Sequence, residues 1–280
     1  MLRTVLCALL LLPTALLQAQ PLAQQQIAPA RIAIIIDDLG YHRQRGEAII
    51  ALPGAVTCAV IPQSPHAPSL AQQAQQAGKE VILHMPMETD GYAKLDAGGL
   101  HENMPADEFA ATVNAAVQRI PQATGMNNHM GGLLTADESA MSRLMGHLSE
   151  HGLFFVDSRT THLSVANKQA RRHGLAYAGR DVFLDNERDL AAINEQFNQA
   201  IRIARQSGHA IVIGHPYPET INYLENILPL LDAANIKIVP VSQLLKHTQM
   251  AQTSTPVSAS TTAKPAVAEK EKPDHIDPAL

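Results

Sequence analysis

The chain has no tryptophan, and phenylalanine and tyrosine together supply only 4% of it. That leaves little material for a wide aromatic platform of the kind that stacks sugar rings. Cysteine is equally scarce, with Cys7 and Cys58 the two present. Cys7 falls in an early apolar run that reads as a removable leader, so a single thiol is expected in the mature chain and no internal disulfide can staple it. Cys58, inside Val56-Thr57-Cys58-Ala59-Val60-Ile61, reads as a small buried hydrophobe, and cysteine pairs cannot form a metal site here. The formal net charge of -5 gives no electrostatic case for nucleic acid as a partner. No Gly-x-Gly-x-x-Gly or P-loop follows any apolar run, which argues against nucleotide binding. Hydrophobic residues are plentiful at 46%, enough for packing alone to stabilise a substantial core.

The two ends differ from the middle. Residues 1–20 carry Arg3, then the apolar run Val5 to Leu12, then Gln18 and Ala19. This is the order of a secretory signal peptide. The run is shorter than the ~20 residues of a membrane span and Pro13 interrupts it, so cleavage is expected to leave no stable membrane span. A signal this simple suggests a bacterial periplasm. Residues 21–29 read as a flexible lead-in, and 248–280, rich in Ser, Thr, Ala, Pro, Lys and Glu, as a disordered tail.

Residues 30–247 alternate apolar strand-like runs with helical ones. The organising stretch is Ile32-Ala33-Ile34-Ile35-Ile36-Asp37-Asp38-Leu39-Gly40, a uniformly apolar run that ends in two adjacent carboxylates. Such a run is expected to be a strand of a parallel sheet, buried on both faces. Further strands are expected at Val56–Ile61, Glu80–Met85, from Gly125, at Leu153–Val156, Asp181–Leu184, Ala210–Gly214 and Ile236–Pro240. Helices are expected between them, among them Asp189–Ser207 with a stripe of Leu190, Ile193, Phe197, Ile201 and Ala204. Thr135-Ala136-Asp137-Glu138 reads as a capping box opening another. This sustained alternation predicts an α/β fold, a distorted (β/α)7-8 barrel in one domain, with an open doubly wound sheet as the rival.

Polar residues recur where these strands end: Asp37 and Asp38, His84 and Glu88, Asn128 and His129, Asp157, Asp185 and His215. In a parallel barrel those ends share one mouth. A carboxylate with two neutral imidazoles makes a mixed oxygen and nitrogen site suited to catalytic zinc, with a position open for water. The expected ligands are Asp38, His84 and His129, with Glu88 as the substitute for either histidine. Asp37 is then the base that takes the water proton, and His215 the acid that protonates the leaving group. Asp157 is expected to orient His215, while Asn128 and Asp185 are assigned to substrate binding.

The segments Ile35-Ile36-Asp37-Asp38-Leu39-Gly40, His84-Met85-Pro86-Met87-Glu88, Asn128-His129-Met130-Gly131, Phe155-Val156-Asp157-Ser158 and Gly214-His215-Pro216 resemble the divergent polysaccharide deacetylase family. That family is a distant branch of the metal-dependent carbohydrate esterases. The resemblance implies a distorted (β/α) barrel and a relation to enzymes that remove acetyl groups from N-acetylated sugars; the partner expected here is an N- or O-acetylated glycan. The resemblance maps a base and a metal ligand onto Asp37 and Asp38, and the late-strand acid onto His215. Where better-known members have a second histidine in a His-x-x-x-His motif, this chain has Glu88. Either Glu88 binds the metal, or His129 replaces that ligand, or metal binding is weakened. The arginine motif that orients the base in those enzymes is not visible. The function expected is an exported, metal-dependent deacetylase of an envelope glycan. The rival is a catalytically inactive glycan-binding or scaffold protein of the envelope, and an acid-pair Mg²⁺ phosphoryl-transfer domain is a weaker third reading.

Overall fold

The computed structural model describes residues 28–91 and 94–245. The proposed signal peptide, most of the lead-in and the tail lie outside the described residues. Among the described residues the strands are β1 (Ala30–Leu39), β2 (Thr57–Val60), β3 (Val81–Met87), β4 (Gly125–Met130), β5 (Phe154–Asp157), β6 (Tyr177–Gly179), β7 (Val182–Phe183), β8 (His209–Gly214) and β9 (Ile236–Ile238). The helices are α1 (Arg43–Ala51), α2 (Ala67–Gln76), α3 (Ala106–Arg119), α4 (Glu138–Glu150), α5 (Ala166–Arg172), α6 (Leu190–Ser207) and α7 (Pro218–Ile227).

All the strand pairs are parallel, in the order β6-β5-β4-β3-β2-β1-β8-β7, with β9 added to β1. The sheet curls into the expected distorted (β/α) barrel. The sixth strand expected at Asp181–Leu184 is half of a longer segment. Tyr177–Gly179 pairs with β5, and only two residues later Val182–Phe183 pairs with β8, so one stretch of chain spans from one edge of the sheet to the other. No helix separates β6 from β7, a departure from the regular βα unit.

Because successive side chains on a strand face opposite ways, the core has two layers. Ala33, Ile35, Ile82, Val156, Ile211 and Ile213 form the inner layer, joined by Val241, Leu244 and Leu245 from the helical residues 241–245. This last helix meets the amino-terminal ends of the strands, where the Val241 and Ser242 amides donate to Thr57 Oγ1 and Glu80 Oε2. Ile32, Ile34, Ile36, Leu83, Met126 and Phe155 face outward against the helices. The interior is therefore plugged at one end by apolar side chains, and its other end is left to polar ones.

Two of the described helices, α4 and α6, are capped by an aspartate side chain. Asp189 caps α6 by accepting the Ala191 and Ala192 amides, and Gly208, at φ +85°, ends it. Ile193, Phe197, Ala200 and Ala204 are its buried face, whereas Leu190 in the first turn stays 45% exposed. The capping box at Thr135 is not formed. Asp137 caps α4 through the Ala140 amide at 2.6 Å, Thr135 donates to the Gly131 carbonyl, and Glu138 pairs with Lys168 and Arg172.

Candidate active site

The polar end of the barrel is built on the same alternation. Asp37 continues the inward row of Ala33 and Ile35, His84 follows Ile82, Asn127 and His129 share one face of β4, and His215 lies beyond Ile213. Strict alternation would turn Asp38 outward. Instead the β1–β2 register slips between Ile36 and Leu39, and Asp38 adopts φ +58°, the left-handed region that Asp tolerates better than most residues. Gly40, at φ +125°, then turns the chain so closely past Ser64 that a Cβ would lie 1.7 Å from its Oγ. Both carboxylates thus reach the mouth.

Asp38 Oδ1 lies 3.2 Å from His84 Nε2 and 3.0 Å from His129 Nδ1, and those two nitrogens are 3.1 Å apart. Asp38 Oδ1 is buried with no directed hydrogen bond among the described residues, so its lone pair and the two nitrogens face one point. The near-equilateral triangle matches the edge of a coordination polyhedron with bonds of ~2.0–2.2 Å, and the donors are of the type zinc takes. These residues fit a divalent metal. Without an ion, the two neighbouring carboxylates favour a proton on His84. Burial opposes the His84 imidazolium, but the adjacent carboxylates of Asp37 and Asp38 overcome it and push the pKa up to about 9. Burial likewise opposes ionisation of Asp38, yet the adjacent His129 and His84 hold its carboxyl well below the ordinary range.

Asn127, opposite His84 in the β3–β4 register, ties the centre together. Its Oδ1 accepts from His84 Nδ1 at 2.8 Å, so in the neutral ring Nε2 is the nitrogen left to bind an ion. Its Nδ2 donates to Asp37 Oδ1 at 2.8 Å and reaches Ser158 Oγ at 3.3 Å. Asp37 is buried, and desolvation raises its pKa despite the opposing influence of His84, His215 and Asn127. On the far side, His215 Nε2 lies 3.9 Å from Asp38 Oδ2. Its ring packs against those of Phe183 and Tyr217, each with its centroid 5.3 Å away.

Four expected roles change. Asp157 does not touch His215. Val156 faces inward, so Asp157 points outside the ring, where it accepts the Arg159 amide at 2.8 Å and lines a cavity of about 420 Å³ with Arg159, His162 and Tyr177. Asp185 takes the place expected of it, holding His215 Nδ1 at 2.9 Å and the His215 amide at 2.6 Å, with Thr220 Oγ1 on the same carboxylate at 2.7 Å. Asp185 is buried, and its carboxylate is already engaged by three donors. Asn128 is buried too, holding the Ser158 amide at 2.8 Å and the Met130 carbonyl at 2.7 Å. Glu88 is not in the triangle, because β3 carries the chain as a strand through the His84–Glu88 spacing. Four residues of strand span ~13 Å, whereas the same spacing on a helix would bring the side chains together. Glu88 instead accepts the Glu102 amide at 3.0 Å.

Sequence reading left Asn127, Ser158 and Thr220 without roles. Asn127 had a usable signal, being two residues before His129 and therefore on the same face of a strand.

The chain matches the model of the divergent polysaccharide deacetylase family over residues 34–245. It is 43% identical over 198 residues to an uncharacterised protein of Haemophilus influenzae, covering 71% of each chain. Its structure resembles that of an uncharacterised protein of Agrobacterium tumefaciens C58, with TM-score 0.75, 27% identity, and coverage of 78% of this chain and 90% of that one. A solved deacetylase in complex with substrate shares the fold at TM-score 0.52 and 15% identity, with 78% and 92% of the two chains covered.

Proposed function

The chain belongs to the divergent polysaccharide deacetylase family, and on that premise we propose that it is an exported, metal-dependent hydrolase removing acetyl groups from an envelope glycan. The observation that carries the proposal is the convergence of Asp38, His84 and His129 on one point, with Asp37 and His215 beside it. Export is supported by the leader-like order of Arg3, the Val5–Leu12 run and Ala19.

A divalent ion in this triangle, zinc being the one its donors suit best, would lower the pKa of a water and polarise the acetyl carbonyl. Asp37 would serve as the base for an attacking water, and its burial, by raising its pKa, brings it nearer to the working range of a general base. Asn127 holds Asp37 and His84 in register, so base and ligand move as one unit. His215 is the acid. Its Nδ1 is held by Asp185, which leaves Nε2 to protonate the departing amine or alcohol as the acetyl carbon–nitrogen or carbon–oxygen bond breaks.

Metal content of the purified protein tests this reading, alongside Asp38→Ala and His84→Ala. About one divalent ion per chain, absent from both variants, together with acetate release from an N-acetylated glycan, is the expected result. A protein that takes up no metal even with added zinc would leave the non-catalytic glycan-binding role.

A further inference from the structure

The two imidazoles of the metal centre differ in what holds their outer nitrogen. His84 turns Nδ1 away from the triangle, to the neutral amide of Asn127. His129 does the reverse. Its Nδ1 faces Asp38 Oδ1 and its Nε2 points outward, where Asp96 Oδ2 lies 3.5 Å away. The ring of His129 stands between Asp96 and Asp38, one nitrogen toward each.

Asp96 belongs to no strand; it lies on the connection between β3 and α3. Beyond Asp96 that connection is tied down at several points. The Leu100 amide donates to the Pro86 carbonyl and the Glu88 amide to the Leu100 carbonyl, both at 2.8 Å. Glu88 holds the Glu102 amide, and Arg143 reaches the carbonyls of Met104 and Glu102. The carboxylate is thus delivered from a braced segment, and the Tyr41 phenol, in the turn after β1, faces it as well. Glu88, which the sequence offered as a ligand, lies outside the triangle and holds the Glu102 amide of the segment that carries Asp96.

We propose that Asp96 is a positioning residue for the metal centre, accepting a hydrogen bond from the His129 Nε2–H so that Nδ1 is the nitrogen left for the ion. The proposal rests on the reading of Asp38, His84 and His129 as ligands. Imidazole ligands commonly give their second N–H to a carboxylate, which orients the ring and strengthens it as a donor. His129 needs this more than His84, because it stands at the open end of β4, just before Met130 at φ +55°, and is more exposed.

The test is zinc affinity of the full chain, measured with Zn²⁺ alone against a competing chelator, for wild type, Asp96→Ala and Asp96→Asn. Asp96→Ala should weaken binding about 10- to 100-fold. Asp96→Asn, which keeps an acceptor but loses the charge, should fall between it and wild type. The melting temperature of the metal-free protein should be unchanged, since Asp96 is part-exposed on a connection. Affinities within about twofold of wild type in both variants would overturn the proposal, as would a metal-free melting temperature that falls in step with affinity. A wild-type chain that binds no zinc would overturn the metal centre itself, a result separable from failure of Asp96 alone.

Discussion

The Asp185 carboxylate holds His215 at two points, taking Nδ1 at 2.9 Å and the backbone amide at 2.6 Å. Burial disfavours the imidazolium, but hydrogen bonding to Asp185 and the charges of Asp37, Asp185 and Asp38 outweigh it and raise the His215 pKa. An acid of this kind is active while protonated, so turnover should fall as pH rises through that raised value. Asp185→Asn removes one of the raising charges. The alkaline limb of the pH profile should move to lower pH and kcat should drop, by at most the ~10²–10⁴-fold worth of a general acid. A pH profile of acetate release for the two proteins checks this, and an unmoved limb would remove His215 as the acid.

Glu88→Gln should leave metal stoichiometry and zinc affinity close to those of wild type, because Glu88 holds the Glu102 amide and the amide oxygen of Gln can replace that bond. Elemental analysis of the purified variant is sufficient. Loss of the ion would place Glu88 among the ligands after all.

Asp37→Asn should keep the metal and lose turnover, by ~10²–10⁴-fold for a general base. Its effect on stability has a sign. Burial holds the Asp37 pKa above its ordinary value. Such a group contributes stability below the unfolded value of ~4 and withdraws it as pH rises through the folded one. In metal-free protein, Asp37→Asn should therefore melt above wild type near neutral pH, with the difference shrinking as pH falls toward ~4. Thermal melts across that range decide it, and a wild type that melts higher at neutral pH contradicts the sign.

Asn127→Ala strips a donor from Asp37 and an acceptor from His84, both buried. Each orphaned group costs about 1–3 kcal/mol. Denaturant unfolding of the metal-free variant should show a loss of that order, and zinc affinity should fall because the His84 tautomer is no longer set. If neither quantity changes, Asn127 is not the tie between base and ligand.

Several elements were legible from residues alone because they are locally determined. Ile32–Ile36 and Ala210–Ile213 are β-branched or small, apolar throughout, and form strands buried on both faces. The polar residues that follow them mark the carboxyl ends, and a parallel barrel gathers such ends at one mouth whatever the register. The triangle of Asp38, His84 and His129 could be assembled on that basis. Strand β6 could not be read, since Tyr177-Ala178-Gly179 is short and half-buried and holds no β-branched residue.

Which acid serves His215 was settled only in three dimensions. Asp157 and Asp185 each follow an apolar strand, and the sequence does not distinguish them. In a strand buried on both faces the apolar pattern carries no record of which alternate set points inward. The tertiary structure turns Val156 in and Leu184 out, so Asp157 leaves the ring and Asp185 enters it. Likewise, adjacent carboxylates on a regular strand would diverge, and only the register slip at Asp38 sends both to the mouth. Residue chemistry and strand order thus came from the sequence itself, whereas facing and register depended on how the strands pack against one another.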